Sequence, residues 1–154
     1  MTAVRSPAFT LIELLIVIAI AAIVAGIAAT SWHRHLQRSW RAQARTAMIS
    51  AMLDLQRHAM ARGGFADDSG HGPAGRWPQW VPAPPAPARY RLAALPCLAA
   101  GQRERERDLH RCIELHAVPQ WPDPACGTLI LRSSGEWLID SADTAGPVPW
   151  PEAC

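Results

Sequence analysis

Lysine is missing from this sequence, and all fifteen of its basic charges are arginines. They face thirteen acids, and a net charge of +2 is not that of a dedicated nucleic-acid binder. Catalytic signatures are missing too. There is no G-x-S-x-G, no phosphate-cradling glycine loop and no H-E-x-x-H. Cys112 and His116 stand at C-x-x-x-H spacing with His110 nearby, but no second ligand pair at zinc-finger spacing accompanies them. An enzyme built on His116, Asp140 and a serine is a weaker reading than a structural or binding protein. No cofactor or metal is expected.

Charge is also missing from one long stretch. Phe9 to Ala29 carries a single ionisable residue, Glu13, and nothing else polar but Thr10. About 20 apolar residues cross a bilayer as a helix, so this run is long enough to span. No proline interrupts it, and Gly26 costs only about 1 kcal/mol of helix propensity. A carboxylate inside such a run costs roughly 2.5–3.5 kcal/mol on insertion scales, so Glu13 calls for a partner. The plainer account is a glutamate in a first helical turn, favoured by the macrodipole and reaching back to water.

The hexapeptide Phe9-Thr10-Leu11-Ile12-Glu13-Leu14 resembles the processing motif of type IV pilins and pseudopilins. The resemblance implies a leader over residues 1–8, cut by a prepilin peptidase between Ala8 and Phe9, and N-methylation of Phe9. It implies that Glu13 pairs with the N-terminal amine of a neighbouring subunit during assembly, which supplies the missing partner. Ala8 stands where the family usually has glycine, and the expectation is slower cleavage at a still-small residue. The helix-loosening proline that major subunits carry near the position of Thr30 is absent.

The same resemblance implies an α+β pilin fold, with a long N-terminal helix, membrane-spanning in its first half, packed on a small antiparallel sheet. The implied organisation is a leader (1–8), a transmembrane and assembly half-helix (9–30), and one soluble domain (31–154). Within that domain the helix runs over 31–62, because no proline or glycine occurs before Gly63-Gly64. Leu36, Trp40, Ala44, Ala47, Ala51 and Leu55, with Met48, Met52 and Ala59 beside them, form an amphipathic stripe suited to a sheet. At about 1.5 Å per residue, Phe9 to Arg62 would make one rod of roughly 80 Å. Arg41-x-x-x-Arg45-x-Ala47 on this basic helix resembles the PilE-like minor pilins of the family.

Arg34, Arg38, Arg41 and Arg45 step by four, three and four and share a helical face, with His33 and His35 near them. They are candidate contacts to DNA or lipid phosphates. A solvated face pairing with acids of adjacent subunits is the preferred reading, because no base-reading motif accompanies the arginines. Residues 63–88 hold glycine or proline at eleven of twenty-six positions and read as an extended loop, pinned by Trp77 and Trp80. Short antiparallel strands fill 89–140, with a hairpin at Ser133-Ser134-Gly135. Arg103 to Asp108 alternates in sign and reads as a solvated connection.

Four cysteines beside a membrane segment suggest two disulfides and an oxidising compartment, with three connectivities open. Cys97–Cys112 is chosen from strand parity. Cys126–Cys154 is chosen because it would tie down a proline-rich tail, 141–154, that has little else to hold it. This loop also resembles the C-terminal disulfide loop of PilE-like minor pilins. Arg5 before the apolar run against Arg34, Arg38, Arg41 and Arg45 after it would place the C-terminal side in the cytoplasm. The cysteines and the resemblance outweigh that bias and imply an inner-membrane protein with a periplasmic domain, later part of a surface pilus. The function implied is that of a minor type IV pilin in pilus assembly. The partners implied are other pilin subunits, the prepilin peptidase, the inner-membrane assembly platform and membrane lipid. A DNA-binding competence pilin, and with it DNA as a partner, and a type II secretion pseudopilin are the alternatives.

Overall fold

A computed structural model describes residues 10–97, 109–152 and 154. Ala8, Phe9 and the Arg103–Asp108 connection lie outside the described residues. The chain divides into two units, Met1–Ser39 and Trp40–Cys154. Helix α1 spans Leu11–Arg62 and so contributes to both.

In the first unit the large apolar side chains of α1, from Leu11 to Ile27, are all more than half exposed. Over this stretch the apolar surface runs round the full circumference of α1, which is the pattern of a segment made for lipid or for a bundle of like helices. An 18-residue window of α1 reaches a mean hydropathy of 2.9, enough to cross a membrane by length and composition.

In the second unit the remainder of α1 lies on a six-stranded sheet. Its strands are β1 (Gln79–Val81), β2 (Tyr90–Pro96), β3 (Ile113–Pro119), β4 (Thr128–Arg132), β5 (Trp137–Asp140) and β6 (Val148–Pro149). They follow one another in chain order, every neighbour antiparallel. Ala44, Met48, Ala51, Met52 and Leu55 of α1 are buried, so the stripe meets the sheet as its spacing requires. Against it pack Tyr90, Leu92 and Ala94 of β2, Ile113, Leu115 and Ala117 of β3, and Leu129, Leu131 and Ile139 of β4 and β5. Those residues alternate along each strand because successive side chains leave a strand on opposite faces.

α1 stops at Gly63, whose φ of 81° suits a residue without Cβ and whose N–H closes on the Ala59 carbonyl at 2.8 Å. Gly135, φ 87°, turns the β4–β5 hairpin. The outcome is an α+β chain, a long N-terminal helix followed by an antiparallel sheet, matching the pilin fold.

Two elements depart from the sequence reading. The loop over 63–88 contains the edge strand β1, held by Arg89 N–H on the Val81 carbonyl at 2.7 Å. The tail contains the opposite edge, β6. Both edges carry proline: Pro78 and Pro82 flank β1, and Pro147, Pro149 and Pro151 punctuate β6. Proline cannot donate to a further strand, which explains why these segments pair inward yet do not extend the sheet.

Candidate assembly site

Thr10 opens α1. Its Oγ1 accepts the Glu13 N–H at 3.4 Å, and its carbonyl accepts the Leu14 N–H at 3.3 Å. Thr10-x-x-Glu13 has the capping-box spacing, so the hydroxyl satisfies one of the N–H groups that a helix start leaves over. Glu13 therefore sits in the first turn, where a negative charge is favoured by the helix dipole. Only its backbone is engaged. The carboxylate is exposed and joins no hydrogen bond or ion pair among the described residues. Capping fixes where this charge stands without consuming it.

The arginine stripe is not one surface. Arg41 is 6 % exposed. Its Nε donates to Asp123 Oδ2 at 2.9 Å and its Nη2 to Asp123 Oδ1 at 2.6 Å. The hydrogen bonds it donates to Asp123 raise the Arg41 pKa above its ordinary value, against the opposing effect of burial. Arg41 is thus removed from the candidate DNA or lipid contacts. Its helical phase was read correctly, but the partner that buries it lies 82 residues away. Arg45 stays exposed and lies over two indoles, 5.2 Å from the Trp137 ring centre and 4.9 Å from that of Trp150. Arg34 and Arg38, in the first unit, are exposed.

Around Arg41 stands an aromatic cluster that the sequence reading missed. Trp121 meets Trp40 edge-on at 4.9 Å and Tyr90 at 4.8 Å. Burial first, then the Asp123 charge, pushes the Tyr90 phenol well above its usual range. Arg89 lies over Trp40 at 4.2 Å, so its guanidinium stacks on the indole face. The one local sign of this cluster was an aspartate between two prolines, Pro122-Asp123-Pro124, one residue after Trp121.

Cys126 bonds to Cys154, and Cys97 to Cys112. Cys112 is therefore not a metal ligand. The tail has more to hold it than the disulfide. β6 pairs with β5, Trp150 N–H reaches the Trp137 carbonyl at 3.2 Å, and the two indoles meet edge-on at 5.3 Å beneath Arg45. Trp77 is half-buried and donates through Nε1 to the Ala74 carbonyl at 2.8 Å. Trp80, by contrast, is 40 % exposed and pins nothing in the core. Its position on an edge strand, directly across from Arg91, turns it to the face away from α1.

On that outer face lies a second finding. Glu114, placed outward by alternation, is nonetheless 7 % exposed. Arg132, its cross-strand neighbour, donates through Nε to Oε1 at 2.8 Å, and His116 Nε2 stands 3.0 Å from Oε2. The two partners cover the carboxylate. Alternation reports direction only, not cover.

The family model for the prokaryotic N-terminal methylation motif matches residues 5–29. The match begins ahead of the capped start of α1 and takes in Glu13 and the apolar run. The match is consistent with a type IV pilin-like prepilin, a class whose motif implies processing by a prepilin peptidase and assembly with other pilins, and the apolar run within it suits membrane anchoring. No curated protein and no solved structure matches the chain.

Proposed function

We propose that this protein is a minor type IV pilin of the PilE-like kind, a structural subunit of a pilus and not an enzyme. The peptidase cuts between Ala8 and Phe9, Phe9 is methylated, and the mature subunit begins at Phe9. Before assembly the apolar run holds it in the inner membrane with the sheet unit in the periplasm. The assembly platform then transfers it to a filament, where Glu13 pairs with the amine of Phe9 on a neighbouring subunit.

One observation carries this reading. A single exposed carboxylate, unpartnered among the described residues, stands at the start of a helix whose first part, Leu11 to Ile27, is apolar all round and lies within a methylation motif. In a low-dielectric bundle, an ammonium is the partner that removes the cost of burying that charge. Closure of the C-terminal tail by Cys126–Cys154 supports a pilin over a secretion pseudopilin. With Arg41 committed to Asp123, a four-arginine DNA track is the weaker alternative.

Mass spectrometry of the mature N-terminus is the direct test. A chain beginning at N-methylated Phe9 is expected, and an intact leader in peptidase-positive cells would refute the assignment. Glu13→Val should abolish or sharply reduce incorporation into filaments while leaving membrane insertion intact.

A further inference from the structure

Beyond its apolar run, α1 carries a short aromatic and basic girdle. Trp32 is 62 % exposed, and His33, Arg34, His35 and Arg38 are exposed with it. The Trp32 and His35 rings stand 6.4 Å apart, tilted by 36°. Arg34 and Arg38 lie one turn apart on one face, where two like charges oppose each other.

Neither arginine joins an ion pair among the described residues. The sequence gives them no helical partner, because no acid occurs between Glu13 and Asp54. The next arginines of the stripe are engaged in the sheet unit, Arg41 on Asp123 and Arg45 on Trp137 and Trp150. What remains is a cationic surface one helical turn long. That fits one or two phosphates and not the phosphate run of a duplex.

Its position along the helix selects the source of those phosphates. At about 1.5 Å per residue, Trp32 lies ~4.5 Å and Arg34 ~7.5 Å past Ala29. The head-group layer on each side of a hydrocarbon core is about 5–7 Å thick, so the indole sits within it and Arg34 at its outer edge. Arg38 starts ~13.5 Å past Ala29, but helical side chains lean toward the helix N-terminus, which directs its long stem back toward that edge. An indole beside arginines at this depth is an interfacial anchor.

We propose that Trp32, Arg34 and Arg38 form a binding site for the phosphates of anionic phospholipid head groups, bordering the apolar run of α1. The proposal rests on the reading that this run spans a bilayer.

The test reconstitutes the full chain, wild type and R34Q/R38Q, into phosphatidylcholine vesicles containing a minority of phosphatidylglycerol. Protein is re-extracted in mild detergent, and the co-purifying lipids are measured by mass spectrometry. Wild type should be enriched in phosphatidylglycerol over the bulk mixture. The double variant should lose that enrichment by about fivefold per arginine, equivalent to ~1 kcal/mol each. R57Q, a change at an exposed arginine of the sheet unit, should retain it. Equal enrichment in wild type and R34Q/R38Q overturns the site while leaving the spanning reading intact. A chain that never enters the vesicles overturns both. If R34Q/R38Q keeps its phosphatidylglycerol but loses binding to a labelled DNA duplex, the arginines serve nucleic acid and the lipid site is refuted.

Discussion

Arg41 and Asp123 form a two-point ion pair across 82 residues of sequence, with both side chains at most 7 % exposed. The pair ties α1 to the β3–β4 connection. Asp123 holds that connection as well, accepting the Cys126 N–H on Oδ1 at 3.4 Å and the Gly127 N–H on its carbonyl at 2.8 Å. Removing one partner leaves a buried charge without compensation. Asp123→Ala or Arg41→Gln should therefore cost about 3–5 kcal/mol in denaturant unfolding of the detergent-solubilised chain. An apolar pair, Arg41→Met with Asp123→Leu, should recover most of that loss. Equal losses in the single and double variants would contradict a role confined to mutual compensation.

Glu114 makes stability depend on acid. Burial pushes its carboxyl up, but the hydrogen bonds from His116 and Arg132 outweigh burial and hold it below its ordinary 4.5. A carboxyl lowered on folding contributes stability that is present above the unfolded value and lost as pH falls through the folded one. Glu114→Gln should cost about 1.5–3 kcal/mol at neutral pH. The gap to wild type should narrow once pH drops below about 4.5. Unfolding curves recorded from neutral to acid pH decide this, and a constant gap would exclude Glu114 as the titrating group.

Arg45 and the Cys126–Cys154 bond hold the tail by separate means. Arg45→Ala should cost about 1–2 kcal/mol, counting two partly exposed cation–π contacts. Opening the bond with Cys126→Ser and Cys154→Ser should cost about 3–4 kcal/mol for a loop of 28 residues. Hydrogen exchange at β6 should rise in both variants and rise most when they are combined. Unchanged exchange in Arg45→Ala would show that the indoles hold without their cation.

Gly127 has a φ of 54°, and a Cβ there would overlap the Asp140 carbonyl and the Ser141 backbone. Gly127→Ala should destabilise the chain by at least ~1–3 kcal/mol, the usual cost of a strained backbone alone. Gly135→Ala, with φ 87° but open space around it, should cost less. The order of the two melting temperatures tests whether crowding adds to strain.

Much of this could be read from the chain. The charge-free run, its one carboxylate, the helix ending at a Gly-Gly pair and the strands with their hairpin all follow from periodicities and turn residues that neighbours in sequence carry together. Local physics writes such features within a few residues of where they appear. The Thr10-x-x-Glu13 cap was not drawn from the sequence, although its fixed spacing at a helix start is a local signal of the same kind. Glu13 thus owes its place to the sequence alone.

The fate of the arginines was decided elsewhere. Helical phase put Arg34, Arg38, Arg41 and Arg45 on one face, but only folding brought Asp123 to Arg41 and two indoles to Arg45. The edge strands β1 and β6, the exposure of Trp80 and the cover over Glu114 belong with them. Each depends on a partner brought across from another strand, loop or the helix. Spacing along a chain fixes a side chain's direction, whereas the packed structure fixes what waits in that direction, and burial or freedom is a property of the second.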